Sequence, residues 1–289
     1  MKTILITGIT GYLGSRTAKY LNSKGFKLIG LTPSQKDTMA QNGNLKLYYL
    51  DQTPIEDVFS SNKIDGVIHF ATSYGRTGEN PVQVAKTNLI FPLEVLNLAV
   101  KYKAEFFINT DTILTPMLNP YALTKHQFAE WLTLFSDKIT TVNMRLDHFY
   151  GPFDKPIKFI PFILRELKNK VPAIHLTQGD QKRNFIYIDD VISAYGLVLQ
   201  AVIDGKIKRG KNNNFETGTD AKYSIKELVT ALKKLTGNTE TELKFGAIPY
   251  RKNEVLEYHL DNSALLALGW KPSKTLLQGL EEIIKQEGI

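Results

Sequence analysis

Cysteine is absent from all 289 residues. That excludes disulfides, thiolate metal sites and cysteine nucleophiles, and it accords with a reducing compartment. Long apolar runs are missing too: the N-terminal one spans only a few residues, and no segment nears the ~20 residues that cross a bilayer. Neither a signal peptide nor a membrane span is therefore expected, and the expectation is a soluble, cytoplasmic protein with no membrane partner. The five histidines, His69, His126, His148, His175 and His259, fall at no metal-ligand spacing, and no G-x-S-x-G elbow occurs. No metal is expected, and serine-hydrolase chemistry has no motif to stand on. Acidic residues are the scarcer charged class, 29 against 36 Lys and Arg, which leaves a net charge of +7. That sign favours an anionic partner, whether nucleic acid, nucleotide cofactor or nucleotide sugar. A basic stripe with interleaved aromatics is lacking, so no nucleic-acid partner is expected.

What is present is concentrated at the start of the chain. Thr3 to Thr7 is a short, β-branched apolar run that reads as a buried strand, and glycines follow at 8, 11 and 14, where a strand must hand over to a helix. The product expected is a β-turn-α cradle for a dinucleotide. Gly8 permits the tight turn, Gly11 the close approach of a pyrophosphate and Gly14 the packing of helix on strand, with the phosphates at the helix N-terminus. Glycines at this G-x-x-G-x-x-G spacing also occur in ordinary turns; their position between a strand and the helical pattern Ser15–Leu21 favours the cradle. Further strands are expected at 27–31, 46–50, 66–70, 106–108 and 140–146, with helical patterns at 88–102 and 122–135 and a short, poor one between the second and third strands. Such alternation predicts an α/β fold with a doubly wound parallel sheet. Prolines at 152, 156, 161 and 172 then loosen the pattern. The division expected is a dinucleotide-binding domain over 1–150 and a smaller domain over 151–289, some of whose segments return to the first. The basic run Lys206–Lys211, followed by three asparagines, reads as a solvated loop.

Cofactor preference is read at the end of the second strand. A carboxylate about 20 residues beyond the glycines commonly takes the adenosine ribose diol. Here Leu31-Thr-Pro-Ser34 offers none before Asp37. Thr32 and Ser34 are donors for a 2′-phosphate, with Arg16 or Lys36 as a source of charge. NADP is expected over NAD, with a plain turn around Pro33 as the alternative. Asp51, just past the third strand and beside Gln52, is an acceptor for the adenine amino group.

The chemistry is expected in Phe106–Thr112 and Asn119–Lys125. Asn119 is a good N-cap and Pro120 a good first helical residue, so Tyr121 enters a helix in its first turn and Lys125 lies one turn on, on the same face. A free phenol titrates near ~10, too high for easy proton exchange at neutrality. One cation at about 4 Å, in an effective dielectric near 20, favours the phenolate by about 4 kcal/mol before desolvation, on the order of three pKa units. Thr110 emerges at the C-terminal end of the fifth strand, where open α/β sheets place their ligands, and its hydroxyl can bind the same substrate oxygen. A lone Tyr-x-x-x-Lys also arises by chance on amphipathic helices.

Taken together, Gly8-x-x-Gly11-x-x-Gly14, Asp65–Ala71, Thr110, Tyr121-x-x-x-Lys125, Arg145–Pro152, Arg183–Asp190, Tyr250–Glu254 and Leu268–Pro272 resemble the extended short-chain dehydrogenase/reductases. These are the NAD-dependent epimerases, dehydratases and reductases of nucleotide sugars. The resemblance implies a Rossmann-type NAD(P)-binding domain and a substrate-binding C-terminal domain. It makes Tyr121 the acid/base, and Lys125 the residue that binds the nicotinamide ribose and lowers the tyrosine pKa, with Thr110 in place of the usual serine. Tyr12 and Leu13 join the glycine cradle, and Phe70, Ala71 and Thr72 line the cofactor, with Asn88 nearby. Arg183 and Arg251 match arginines that grip a nucleotide-sugar diphosphate, a task for planar bidentate cations; a surface salt bridge is the alternative for each. Thr112 and His148 fall at substrate-facing positions, His148 where relatives often carry asparagine, although a buried, hydrogen-bonded histidine is an equal reading. Family 4,6-dehydratases carry Thr-Asp-Glu where this chain reads Thr110-Asp-Thr112, which removes the base for dehydration. The finer likeness is to the nucleotide-sugar 4-ketoreductases of the CDP-abequose and CDP-paratose synthase group. The expected activity is thus NADP-dependent reduction of a nucleotide-linked 4-keto-deoxy sugar, as in O-antigen precursor synthesis. A 4-epimerase holding NAD, and a non-catalytic dinucleotide-sensing or RNA-binding protein, are the rivals. The resemblance also implies a homodimer through helices 88–102 and 122–135, unless Phe128, Trp131, Leu132 and Phe135 are all internal core.

Overall fold

The computed structural model describes residues 1–36, 39, 43–251 and 253–289; Asp37 and Lys252 lie outside the described residues. The chain opens with β1 (Thr3–Thr7), α1 (Tyr12–Ser23), β2 (Lys27–Thr32), β3 (Leu45–Tyr49), α2 (Ile55–Ser60) and β4 (Gly66–His69). Then come α3 (Pro81–Ala85), a π-helical turn (Lys86–Ile90), α4 (Phe91–Lys101), β5 (Phe106–Thr112), α5 (Pro120–Phe135) and β6 (Thr140–Leu146). Shorter elements follow: β7 (His148–Tyr150), α6 (Phe159–Lys168), β8 (Ala173–His175), β9 (Lys182–Arg183), β10 (Phe185–Tyr187) and α7 (Ile188–Ile203). The last are β11 (Asn213–Thr217), β12 (Tyr223–Ser224), α8 (Ile225–Leu235), β13 (Glu242–Lys244), α9 (Ser263–Ala267) and α10 (Leu276–Glu287). Contacts divide the chain into one unit of Met1–Leu146, Ile192–Glu216 and Ala264–Trp270, and a second of Asp147–Val191, Thr217–Ser263 and Lys271–Ile289.

The first unit is built on a seven-stranded sheet in the order β11-β6-β5-β4-β1-β2-β3. β1 to β6 pair in parallel throughout. Parallel strands covered on both faces must be apolar on both, which is why Ile4-Leu5-Ile6 and Phe106-Phe107-Ile108 are buried without alternation. Helices α4 and α5 supply Val95, Leu96, Phe128 and Leu132 to the same core as Val67 and Phe107. The doubly wound parallel sheet expected from the sequence is the sheet observed. Its order reverses between β1 and β4, which creates the switch point at which such sheets bind ligands.

Three local departures have physical reasons. The helical stretch expected from 88 starts at Pro81, because Asn80 caps it in a capping box with Gln83, and it passes through the π turn that swings Asn88 into the interior. β5 runs on to Thr112 because β6 pairs with it along its whole length. β11 was not expected. Its polar side chains carry no apolar period, since they are matched to β6: Arg145 pairs with Glu216, and Asn143 Nδ2 donates to Asn214 Oδ1 at 3.2 Å. Of the three asparagines that follow the basic run, Asn213 and Asn214 thus begin a strand.

Within the second unit β7 pairs with β10 and β8 with β13 in parallel, and β9 with β12 antiparallel. Amphipathic helices α6, α8 and α10 bury Ile163, Leu164, Leu228, Leu232 and Leu280. Tyr150 donates its hydroxyl to the Leu276 carbonyl at 3.1 Å. Among the described residues no helix is long and apolar enough to cross a membrane.

Candidate active site

At the switch point the glycines do specific work. Gly8 has φ +64°, and a Cβ there would stand 2.6 Å from the Ala71 nitrogen, so only glycine lets β1 turn beside β4. A Cβ at Gly14 would meet the Gly8 carbonyl oxygen at 2.2 Å, which fixes how closely α1 packs on the turn. Gly11 is the N-cap of α1, donating to Gly8 O at 3.0 Å. No side chain caps this helix and no acid stands in its first turn, so its positive end suits an anion. Tyr12 and Leu13 open the helix, Leu13 buried, with the Arg16 guanidinium 3.9 Å from the centre of the Tyr12 ring. A cradle that a Cβ would fill, at an uncapped helix N-terminus, fits a dinucleotide pyrophosphate.

Toward the outer strands, Thr32 ends β2 fully buried, leaving Ser34, half-buried, as the more open hydroxyl of the pair. Asp51 and Gln52 are exposed after β3, where Asp51 N donates to the Pro33 carbonyl at 3.1 Å and Gln35 donates to Gln52 at 3.4 Å.

Beyond β4 the chain passes Phe70, buried, then Ala71 and Thr72, half-buried. Asn88 is what holds this loop. Its Oδ1 accepts from Ser73 N at 2.8 Å and Thr72 Oγ1 at 3.2 Å, while its Nδ2 donates to Ser73 O at 2.8 Å and to Thr124 Oγ1 on α5 at 3.2 Å. A π turn presents Asn88 to four partners at once, a use typical of such turns.

The catalytic candidates converge at the ends of β5 and α5. Asn119 caps α5, accepting from Ala122 N at 2.8 Å, and Pro120 occupies the first turn, as the sequence requires. Tyr121 is half-buried under the ring of Tyr74, 4.9 Å between centroids. Lys125, one turn on, is buried. Thr110 is half-buried and stands 2.7 Å from the phenol oxygen of Tyr195 on α7.

The electrostatics of this cluster differ from the sequence expectation. Burial pushes the Tyr121 phenol well above its ordinary range, helped by Tyr74 and the Asp111 carboxylate, with Thr112 and Arg76 opposing. Lys125 does not depress it. Burial instead brings Lys125 itself down to about 8, with Asp111 pulling the other way. The expected phenolate-favouring field fails because the ammonium meets the same desolvation as the phenol, and because a carboxylate lies close to both.

Beneath these groups runs a polar row that sequence reasoning missed. Thr7, His69, Asn109 and Asn143 are register partners across β1, β4, β5 and β6, and all are buried. Thr7 and His69 Nδ1 lie 2.7 Å apart, and Asn109 donates to Asn143 at 2.8 Å. Asn143 donates in turn to Asp111 Oδ2 at 2.9 Å, while Thr112 N takes Asp111 Oδ1 at 2.8 Å. Burial and the Lys125 charge hold His69 far below the usual histidine range, hence neutral. A signal existed for three of them: Thr7, His69 and Asn109 each directly follow an apolar strand run.

In the second unit, His148 is neither buried nor isolated. Its ring is exposed, and Nδ1 lies 2.5 Å from Oδ1 of the buried Asp147, whose Oδ2 accepts from Asn184 N at 3.2 Å. Arg183 is buried, donating to Glu254 Oε1 at 2.7 Å and to the Lys182 carbonyl at 2.7 Å, with Tyr258 4.9 Å from the guanidinium. It is engaged in a salt bridge, though a buried one. Arg251 is exposed.

Such a sheet, cradle and Tyr-x-x-x-Lys helix define a dinucleotide-binding α/β enzyme. Residues 4–212 match the model of the NAD dependent epimerase/dehydratase family. The chain is 31% identical to CDP-abequose synthase of Salmonella typhimurium, over 98% of this chain and 97% of that protein. It belongs to the NAD-dependent epimerase/dehydratase family. The same fold is seen in UDP-glucose 4-epimerase of Thermotoga maritima with UDP-glucose, at TM-score 0.84 and 24% identity over 99% of this chain and 98% of that one. It is seen again in Bacillus cereus UDP-glucuronic acid 4-epimerase with UDP-glucuronic acid and NAD, at TM-score 0.83 and 23% identity over 99% of both chains.

Proposed function

We propose that this chain is an NADP-dependent reductase of a nucleotide-linked 4-keto-deoxy sugar. The observation that carries the reading is the end of β5, where Thr110 and Thr112 offer two hydroxyls and no glutamate follows Asp111, with Tyr121 a neutral phenol in the first turn of α5. A reductase must enter its reaction with a proton to give, whereas an epimerase must first remove one. Dehydration is disfavoured as well, because Asp111 is buried and both its oxygens are taken by Asn143 and the Thr112 amide, while Thr112 stands where a glutamate would be needed. Similarity to CDP-abequose synthase along nearly the full length supports a nucleotide-sugar substrate.

When bound, the reduced nicotinamide supplies the hydride that reaches C4. The chain's own residues do the rest. Thr110 holds the carbonyl oxygen, Tyr121 gives its proton to that oxygen as charge develops, and Thr112 steadies the resulting phenolate. Lys125 binds the nicotinamide ribose, Phe70, Ala71 and Thr72 line the cofactor, and Ser34 with Arg16 favours the 2′-phosphate. His148, Arg183 and Arg251 are proposed as substrate contacts, Arg183 by exchanging Glu254 for a diphosphate.

NADPH oxidation is expected only when a 4-keto nucleotide sugar is supplied, best tested on a CDP-, dTDP-, UDP- and GDP-linked panel. Tyr121→Phe should lose nearly all of that rate, and full activity in this variant would remove the proposed acid. Copurifying NAD with no net NADPH consumption would move the reading to a 4-epimerase.

A further inference from the structure

Tyr195 lies fully buried on α7, its phenol oxygen 2.7 Å from Thr110 Oγ1 and its ring 5.0 Å from that of Phe70 at 59°. The ring is therefore locked between helix and sheet, and its one polar atom is spent on Thr110. Thr110 has a single hydrogen and two lone pairs. Were that hydrogen given to Tyr195, none would remain for a ligand oxygen. A phenol is the more acidic of the two hydroxyls and an aliphatic oxygen the better acceptor, so the pair has a preferred direction. We infer that Tyr195 is a positioning residue: it donates to Thr110 Oγ1 and so leaves the Thr110 hydrogen aimed at the substrate oxygen.

Two surroundings bear on the pair. Burial raises the Tyr195 phenol, with the Thr110 hydrogen bond opposing and the Asp111 charge adding to the rise, so the phenol keeps its proton. Phe70 follows β4 at the switch point, so the packing that fixes Tyr195 comes from the cofactor side of the sheet. The inference rests on Thr110 holding the reacting oxygen, as proposed above.

A double-mutant cycle on the purified enzyme tests it. Tyr195→Phe should lower kcat about tenfold with KM little changed. In a Thr110→Ala background the same change should cost nothing further, because the group it acts through is gone. Equal losses in both backgrounds, a rise in KM alone, or an unchanged kcat would each overturn the inference. Raman spectroscopy supplies a readout independent of turnover. The tyrosine ring doublet, isolated as wild type minus Tyr195→Phe and again as wild type minus Thr110→Ala, should report a donating phenol, and an accepting one would refute the assignment. If wild type oxidises NADPH with no 4-keto nucleotide sugar, the functional proposal fails, and the doublet still decides the direction of the bond.

Discussion

At Lys125, burial and charge are set against one another. An ordinary lysine titrates at 10.5, and this one is brought down to about 8. Between those values the native chain binds fewer protons than the unfolded chain, so this residue makes stability rise as pH climbs from about 8 to about 10.5. Below that interval the buried ammonium costs about 3 kcal/mol. Lys125→Met should therefore be more stable than wild type at pH 7, with the gap closing by about pH 10.5, while NADPH oxidation is lost. Urea denaturation at the two pH values checks this, and equal stabilities at pH 7 would mean that the charge is not desolvated. Tyr121, Lys125 and Thr110 were all legible in the sequence, because local spacing on one helix and one strand end determines where they stand. The protonation of Tyr121 and Lys125 was not legible: it depends first on burial and then on Asp111, with Tyr74 adding at Tyr121, and the fold decides all of these.

Among the elements, the π turn shows how one side chain organises a loop. Asn88 satisfies both the amide and the carbonyl of Ser73 and ties them to Thr124 on α5. Removing it leaves two backbone groups unpaired in a part-buried site, at roughly 1–3 kcal/mol each. Asn88→Ala is expected to lower stability by about 2–4 kcal/mol and to weaken NADPH binding. Thermal unfolding with and without NADPH separates the effects, and a variant with wild-type midpoints in both would show that the tether is dispensable. The sequence placed a helix here and named Asn88. It did not disclose the π turn, since the extra residue per turn is selected by the side chain's distant partners and not by any local propensity.

For the whole molecule, the excess of basic residues, net +7, has a consequence for a substrate bearing a diphosphate. Raising ionic strength from about 0.01 M to about 1 M shortens the Debye length from roughly 30 Å to roughly 3 Å. KM for the proposed nucleotide-sugar substrate should rise several-fold over that range with kcat unchanged, and a flat KM would remove long-range attraction from the account.

The sequence by itself determined the α/β alternation, the glycine cradle and the placing of Tyr121 and Lys125 on one helix face. Each is written in contiguous residues, by apolar period, by backbone permission at Gly8, or by one helical turn between Tyr121 and Lys125. Only the tertiary structure decided the edge strand β11, the polar row across β1, β4, β5 and β6, the Tyr195 partner of Thr110 and the charge state of the site. Those depend on residues far apart in the chain. Whether a buried polar atom is satisfied, and whether a proton stays on it, is settled by what packing brings within hydrogen-bond reach.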